Sequence, residues 1–254
     1  KPILFPDITY SFYDVWAELF RIPYKQMPLD ENFRLKIDDY KGENGGIVFP
    51  NPNAPTGIYE SLDHVEEIIK NNPDVIVIVD EAYIDFGGET ALPLIDKYDN
   101  LVVVRTFSKS RSMAGLRIGY AISNPELIKA LNDVKYSYNS YTMNRPSLVL
   151  GVESIHDDAY FREKVGQIIA TRERFVKEIA ELGFTCLPST ANFVFATHES
   201  IPAKEIFAAA KENNIYVRYF DKPRIDNYLR ISIGTDAEMD VFVSFLSKYV
   251  KEYK

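Results

Sequence analysis

Residues 101–120 read LVVVRTFSKSRSMAGLRIGY and carry the strongest indication of fold class in this chain. The stretch begins with four consecutive apolar residues, 101–104, the pattern of a strand whose sheet is covered on both faces. Hydroxyl and cationic side chains follow at Thr106, Ser108 and Lys109. Because ligands of an open α/β sheet bind beyond the carboxyl ends of its strands, these three are predicted to lie where chemistry occurs. A solvated loop with ordinary surface cations is the alternative that this stretch alone leaves open.

A second apolar run, residues 75–79, ends in Asp80-Glu81-Ala82-Tyr83. A carboxylate at the end of a buried strand costs free energy unless it meets a cation. The magnesium-binding acid of a nucleotide hydrolase also follows an apolar strand. That interpretation requires a glycine-rich loop ending in Gly-Lys-Ser or Gly-Lys-Thr, which the sequence does not contain. The run therefore predicts a carboxylate at a strand end that pairs with some other cation.

A third stretch, PNPNAPTG at residues 50–57, follows the apolar residues 47–49 and alone predicts only a proline-stiffened turn. In this order, the three stretches resemble the fold type I pyridoxal-phosphate-dependent aminotransferases. More narrowly, five segments spread over nearly the whole chain resemble the histidinol-phosphate aminotransferases. They are FPDITYSFY (5–13), NPNAPTG (51–57), VDEAYIDF (79–86), RTFSKSRSMAGLRIGY (105–120) and YLRISIGT (228–235).

The resemblance implies a fold type I α/β protein with two domains. Residues 1–146 are expected to form the large, cofactor-binding domain with a mostly parallel sheet, and residues 147–254 a smaller α+β domain. Alternating strand and helix patterns in the first half agree with a parallel, covered sheet. Family members carry a long segment before the FPDITY-like motif. We therefore expect an N-terminally shortened chain with an incomplete large domain that binds pyridoxal phosphate weakly.

Hydrophobic periodicity and turn residues predict the individual elements. Predicted strands cover residues 3–5, 24–29, 47–49, 75–79, 101–104, 118–122, 192–196, 216–220 and 229–233. Predicted helices cover residues 13–19, 61–71, 146–155, 161–182 and 203–213, with further helices beginning near 125 and 237. Ser61 is the expected cap of its helix, and Gly183 is expected to end the long helix before it.

Three residues match the family's catalytic positions. The resemblance implies that Lys109 is the lysine that bonds the cofactor aldehyde, which requires an amine able to release its proton. Asp80 matches the partner of the pyridinium nitrogen, which keeps the ring an electron acceptor. Tyr83 matches the phenol that hydrogen-bonds the 3-oxygen of the cofactor ring.

Further residues match cofactor-binding positions. Arg117, Thr106 and Ser108 match the group that binds the cofactor phosphate, since a guanidinium fork suits two phosphate oxygens. Tyr10 matches the aromatic residue that stacks on the ring, with core packing as the alternative. Family members commonly place Asn before Pro-Thr-Gly, but here that position is Ala54. Asn53 is then the first candidate for the 3-oxygen contact, and Asn51 the second.

Two arginines match substrate positions. Arg230, within the strand pattern 229–233, matches the arginine that binds a substrate α-carboxylate, because a buried guanidinium needs an anion opposite it. Arg218 matches a second family arginine near the substrate. The resemblance thus implies amino transfer between histidinol phosphate and 2-oxoglutarate in histidine biosynthesis, by a homodimer. An aromatic aminotransferase, a threonine-phosphate decarboxylase and a non-catalytic fragment stay open as alternatives.

Composition limits the class of protein further. The chain has 29 Lys and Arg against 37 Asp and Glu, a net charge of -8, which argues against nucleic acid or an anionic membrane as a partner. No apolar run reaches the length of a membrane helix, and Cys186 is the single cysteine, which favours a cytoplasmic setting. Cys186 is expected to be a small buried apolar residue. His64, His156 and His198 lack ligand spacing and are predicted to be surface residues, with no metal site.

Overall fold

Two β-sheets organise the computed structural model, which describes residues 1–253. The strands of the first sheet are β1 Ile3–Pro6, β2 Tyr24–Met27, β3 Ile47–Pro50, β4 Val77–Asp80, β5 Leu101–Thr106 and β6 Gly119–Ile122. Their order is β2-β1-β3-β4-β5-β6. Strands β1 to β5 are parallel to one another, and β6 runs antiparallel at the edge. The predicted mostly parallel sheet is thus confirmed.

The second sheet is antiparallel throughout and lies in the C-terminal half. Its strands are β7 Phe184–Cys186, β8 Phe193–His198, β9 Arg218–Tyr219 and β10 Leu229–Ser232, in the order β7-β8-β10-β9. The helices are α1 Tyr13–Leu19, α2 Leu62–Lys70, α3 Pro125–Tyr138, α4 Arg145–His156, α5 Asp158–Ala180, α6 Ala203–Glu212 and α7 Asp236–Glu252. The domain boundary predicted between residues 146 and 147 falls in the first turn of α4 and stays a prediction.

Each sheet has its own apolar core. In the first sheet, Val77 and Val79 of β4 and Val103 of β5 are fully buried, and Val65 and Ile69 of α2 pack against the same core. Ser61 caps α2, as predicted, by accepting a hydrogen bond from the backbone N–H of His64. The core of the second sheet lies between its strands and the helices α5, α6 and α7. Because each sheet is covered separately, the parallel sheet can present its carboxyl edge to the second sheet.

Strand boundaries differ from the sequence prediction at β4 and β9. Residues 75 and 76 lie outside β4, because the Asn100 side-chain amide donates to the carbonyls of Asn72 and Val75 (2.8 and 3.1 Å) and holds a turn there. Ile76 is accordingly exposed. In β9 only two residues pair with β10, where the sequence predicted five. The short strand β7 was not predicted.

His198 is not a surface residue, which corrects the sequence prediction. It lies at the end of β8 with 5% of its surface exposed. Its Nδ1 accepts hydrogen bonds from the backbone N–H groups of Ser200 and Ile201 (3.1 and 3.0 Å). Its Nε2 lies 2.9 Å from the carbonyl oxygen of Leu182. The ring therefore satisfies backbone groups next to α5 and α6, a role that leaves no periodic pattern in the sequence.

Cys186 is partly buried in β7 and packs against the core of the second sheet. Burial raises the pKa of its thiol to about 12, so the thiol stays protonated at neutral pH. Its apolar environment agrees with the predicted packing role. Across residues 1–253, no helix has both the length and the apolar character needed to cross a membrane.

Candidate active site

Asp80 ends β4 at the carboxyl edge of the parallel sheet. One carboxylate oxygen accepts a hydrogen bond from the Tyr13 hydroxyl (3.0 Å), and the other accepts from the backbone N–H of Ala82 (3.0 Å). Burial raises the pKa of Asp80 above its ordinary value, although these hydrogen bonds and the charge of Lys109 act in the opposite direction. Because both hydrogen-bond donors are neutral, the Asp80 carboxylate is suited to a cationic ligand.

Lys109 and Tyr83 come together at the same edge. The Lys109 ammonium lies over the Tyr83 ring, 5.3 Å from its centroid. Lys109 follows β5, and Tyr83 follows the neighbouring strand β4, so the parallel pairing of these strands brings their ends together. The sequence placed both residues at strand ends, and their contact agrees with that prediction.

Arg230 approaches this group from the second sheet. Its guanidinium lies 5.2 Å from the centroid of Phe193, and the Phe193 ring meets Tyr83 edge-on at 5.1 Å. Within residues 1–253, no atom accepts a hydrogen bond from the buried Nε of Arg230. Burial lowers the pKa of Arg230 below its ordinary value. A half-buried guanidinium with a buried, unsatisfied donor is suited to an anion.

Arg218 is the cross-strand neighbour of Arg230, since the two are paired in β9 and β10. Its guanidinium lies 5.5 Å from the centroid of Phe220, and the Arg230 guanidinium lies 5.9 Å from the same ring. Unlike Arg230, Arg218 is exposed to solvent. Two adjacent cations, one half-buried and one exposed, form a region able to bind an anionic or doubly anionic ligand.

Both candidate asparagines make internal hydrogen bonds. The Asn51 side chain is paired with Glu60 in both directions, donating to its carbonyl (2.9 Å) and accepting from its N–H (2.8 Å). The Asn53 amide donates to the carbonyl of Ile8 and to Thr56 Oγ1, each at 3.0 Å. Asn51 therefore stabilises its own turn, whereas Asn53 links that turn to the segment that carries Tyr10.

The predicted phosphate-binding residues are brought together only in part. Thr106 Oγ1 lies 2.9 Å from Ser108 Oγ and accepts from the Ser108 backbone N–H (3.1 Å). Arg117 lies at the end of a short turn with a left-handed backbone (φ 56°). Its guanidinium is exposed and donates to the carbonyl of Ala114 (2.9 Å). The two hydroxyls thus form a pair, and Arg117 hydrogen-bonds within its own turn.

Tyr13 and Phe193 are site residues that the sequence analysis did not identify. Tyr13 holds Asp80, and it also packs edge-on against Tyr10 at 5.7 Å. Tyr13 lies in the FPDITYSFY segment that carries the resemblance, but its hydrogen bond to Asp80 spans 67 residues of sequence and left no local signal. Phe193 carried no signal either, since its role depends on how the second sheet meets the first. No cluster of potential metal ligands occurs among residues 1–253.

Comparison with known proteins identifies the family. The sequence profile described as aminotransferase class I and II matches residues 1–246. The chain belongs to the class I and II aminotransferases. It is 51% identical over 251 residues to the histidinol-phosphate aminotransferase of Lactococcus lactis subsp. cremoris (strain MG1363), covering 99% of this chain and 70% of that protein. It is 49% identical over 250 residues to the histidinol-phosphate aminotransferase of Acinetobacter baylyi, covering 98% of this chain and 69% of that protein.

Solved aminotransferase structures share the fold. The histidinol-phosphate aminotransferase of Clostridium acetobutylicum superposes with a TM-score of 0.92 at 24% identity, over 99% of this chain and 78% of that one. The histidinol-phosphate aminotransferase of Sinorhizobium meliloti, solved in complex with pyridoxal-5'-phosphate, superposes with a TM-score of 0.89 at 23% identity. That match covers 100% of this chain and 71% of the solved one. The predicted fold type I architecture is thus confirmed.

Proposed function

We propose that this aminotransferase moves an amino group between histidinol phosphate and a 2-oxo acid such as 2-oxoglutarate, using pyridoxal phosphate. Support comes from relatives named histidinol-phosphate aminotransferase, to which this chain is 51% and 49% identical over nearly its whole length. A second support is the arrangement of Asp80, Tyr83 and Lys109 at one sheet edge, facing Arg230. We extend the proposal to histidine biosynthesis as the pathway served.

The site residues fit the proposed cofactor. Asp80 receives hydrogen bonds only from neutral groups named above, so its carboxylate suits the protonated ring nitrogen of pyridoxal phosphate. Lys109 would hold the aldehyde group, Tyr83 and Asn53 would contact the ring oxygen, and Tyr10 would stack on the ring face. Thr106, Ser108 and Arg117 would bind the phosphate. When bound, pyridoxal phosphate supplies a carbonyl that reacts with amines and a ring that accepts electrons.

The protein residues then divide the remaining work. Lys109 Nζ takes a proton from the α-carbon of the substrate and returns it later, as a general base and acid. The Tyr83 ring beside Nζ restricts where the amine lies. Arg230 binds and orients the α-carboxylate of the oxo acid through two parallel hydrogen bonds. Asp80 keeps the proton of the ring nitrogen in place, which maintains the electron-accepting character of the site.

One observation carries the proposal: Arg230, whose buried Nε has no hydrogen-bond partner among the described residues, and Tyr83, which contacts Lys109, both pack against the Phe193 ring. An anion-binding group and a reactive amine are thereby joined through two aromatic rings. An amino acid or oxo acid carries its α-carboxylate and its reacting atom on neighbouring carbons, so it matches such a pair of groups.

The test measures each half-reaction separately in the purified protein supplied with pyridoxal phosphate. Amino transfer from histidinol phosphate should exceed transfer from aromatic amino acids, and threonine phosphate should release no carbon dioxide. The product formed with 2-oxoglutarate should be glutamate. Carbon dioxide release from threonine phosphate, or faster transfer from an aromatic amino acid, would assign the chain to a different activity on the same fold.

The proposal includes a homodimer located in the cytoplasm. Large apolar side chains on and beside α1 are exposed, with Trp16 at 45% and Phe20 at 68% exposure, as expected of a surface that another subunit covers. The net charge of -8 and the single cysteine agree with a cytoplasmic setting. Sedimentation equilibrium should give twice the mass of one chain. A monomer at micromolar concentration would contradict the dimer.

A further inference from the structure

Arg172 is a buried arginine outside the residues assigned above. It lies in α5 with 5% of its surface exposed. Its Nη1 donates to two backbone carbonyls, Phe86 at 3.1 Å and Ala191 at 2.7 Å. Its Nε and Nη2 donate to the Glu173 carboxylate, at 3.1 and 3.0 Å, which balances the charge. Each of the three guanidinium nitrogens therefore has a partner within the chain, two backbone carbonyls for Nη1 and the Glu173 carboxylate for Nε and Nη2.

The two carbonyls belong to the two halves of the active site. Phe86 closes the short turn that follows Tyr83, on the side of the parallel sheet. Ala191 precedes Phe193 by two residues and belongs to the approach to β8 in the second sheet. Phe193 in turn packs against both Tyr83 and Arg230. One nitrogen atom of Arg172 thus fixes the separation of the segments that carry Tyr83 and Phe193.

A second contact shows that the same segment is closely fitted to the first sheet. The backbone N–H of Thr190 donates to the carbonyl of Gly57 at 3.0 Å. Gly57 has a left-handed backbone (φ +79°), and a side chain there would reach within 2.5 Å of Ser189 Oγ. Residues 189–191 are therefore held at two points, by Gly57 and by Arg172. Removing one of them should shift the segment without unfolding it.

We propose that Arg172 is a positioning residue that sets Arg230 and Phe193 against Tyr83, and so determines the affinity for the substrate carboxylate. This inference rests on the proposed function, because it assumes that Arg230 binds that carboxylate. Arginine suits the position because its planar fork serves two carbonyls and a carboxylate at once, which a lysine ammonium on a flexible stem does less well. Arg172 itself touches neither substrate nor cofactor.

The variants are Arg172→Met, which keeps the aliphatic stem, Arg172→Lys, and the control Arg174→Met. Arg174 lies two positions along the same helix but pairs with Glu178, Asp236 and Asp240, within the C-terminal half. Affinity for pyridoxal phosphate should stay within about twofold in all three, since its binding residues lie in the first sheet. In Arg172→Met the apparent dissociation constant for 2-oxoglutarate should rise by about tenfold. Such a loss is expected when a binding group is displaced by up to about one ångström. The dissociation constant of Arg172→Lys should lie between those of the wild type and Arg172→Met, and that of Arg174→Met should match the wild type.

A double-mutant cycle separates positioning from general destabilisation. In an Arg230→Lys background the Arg172→Met change should raise the dissociation constant for 2-oxoglutarate by less than about threefold. The effects of residues that act through one another are not additive. Hydrogen exchange of the unliganded protein should be faster in segments 84–88 and 189–192 for Arg172→Met, and unchanged for Arg174→Met. This measurement does not depend on activity.

Two results would overturn the inference. The first is equal 2-oxoglutarate affinity in Arg172→Met and Arg174→Met, and the second is an Arg172→Met effect that persists in full in the Arg230→Lys background. If instead the wild type does not react with 2-oxoglutarate, the proposed function fails. The exchange comparison in the unliganded protein then decides the role of Arg172, and unchanged exchange in segments 84–88 and 189–192 would refute it.

Discussion

At the scale of single residues, Asp80 shows the conflict between stability and function. Burial raises the pKa of its carboxyl group, so the folded protein binds that proton more tightly than the unfolded chain. Stability contributed by Asp80 is therefore present at low pH and is lost as pH rises from the ordinary carboxyl pKa through the raised one. Without cofactor, the ionised carboxylate is a cost that the fold bears at neutral pH.

Asp80→Asn should consequently stabilise the protein free of cofactor at neutral pH. The amide oxygen can accept from the Ala82 N–H, and the amide NH2 can donate to the Tyr13 hydroxyl oxygen. Because the amide carries no charge, we expect a gain of about 0.5–2 kcal/mol in unfolding free energy. The gain should vanish below the ordinary carboxyl pKa, where Asp80 is neutral in both states. Urea unfolding of both proteins between pH 3 and 8 measures it. With pyridoxal phosphate present, the same variant should bind the cofactor yet transfer amino groups slower by orders of magnitude. A variant that is less stable at neutral pH would contradict this account of Asp80.

Arg230 and Arg218 are expected to divide the anionic substrates between them. Half-buried Arg230 is proposed to bind the α-carboxylate of the oxo acid, and exposed Arg218 is proposed to assist with the phosphate of histidinol phosphate. A charge-assisted hydrogen bond contributes about 1.5–3 kcal/mol, so its loss should weaken binding by about tenfold to a hundredfold. Arg230→Lys should raise the dissociation constant for 2-oxoglutarate, and Arg218→Lys should weaken the binding of histidinol phosphate more than that of the oxo acid. Equal losses for both substrates in both variants would show that these arginines support the fold or the dimer.

At the scale of elements, His198 joins the end of α5 to the start of α6. Its Nδ1 accepts from Ser200 and Ile201, and its Nε2 lies within hydrogen-bonding distance of the Leu182 carbonyl. His198→Ala leaves these buried backbone groups without partners, so we expect a loss of about 2–3 kcal/mol. His156, exposed at the end of α4, is the matched control and should change stability by less than about 0.5 kcal/mol when replaced by Ala. Chemical denaturation compares them, and equal stability of the two variants would disprove the structural role.

Elements were predictable where a local pattern determines them. Helix α1 was predicted at its observed bounds, and Ser61 was predicted as the cap of α2, because apolar spacing and capping act within a few residues. The start of β4 and the length of β9 were not predicted correctly. They depend on Asn100 and on the pairing with β10, which act over long sequence separations. Apolar runs predicted that Asp80, Tyr83 and Lys109 lie at or after strand ends, whereas their roles came from the family resemblance and stay predictions. Tyr13 and Phe193 were missed because their roles depend on tertiary contacts.

At the scale of the whole molecule, strand β8 couples the two sheets. Side chains alternate along a strand, so Val194 and Ala196 pack in the core of the second sheet while Phe193 and Phe195 face the first. Phe195 is fully buried, packs with Ile8, Phe33 and Ile58 from the first half, and stacks on Tyr228 at 4.7 Å. The contact between the sheets is thus a true apolar core.

Calorimetry should therefore show one cooperative unfolding transition for the wild type. Phe195→Ala removes a large side chain from the contact, so we expect a loss of about 3–5 kcal/mol and partial separation of the transition into two. Phe175→Ala, within the core of the second sheet, should lower stability by a similar amount while keeping a single transition. Two transitions in the wild type would mean that the sheets unfold independently and that the contact contributes little.

Peptide mapping tests whether Lys109 is the amine that bonds the cofactor aldehyde. The protein is incubated with pyridoxal phosphate, reduced with borohydride, digested and analysed by mass spectrometry. We expect one modified peptide, with the pyridoxyl group on Lys109, and no specific modification in Lys109→Ala. Modification of another lysine in the wild type, such as Lys97 or Lys135, or unchanged labelling in Lys109→Ala, would contradict it.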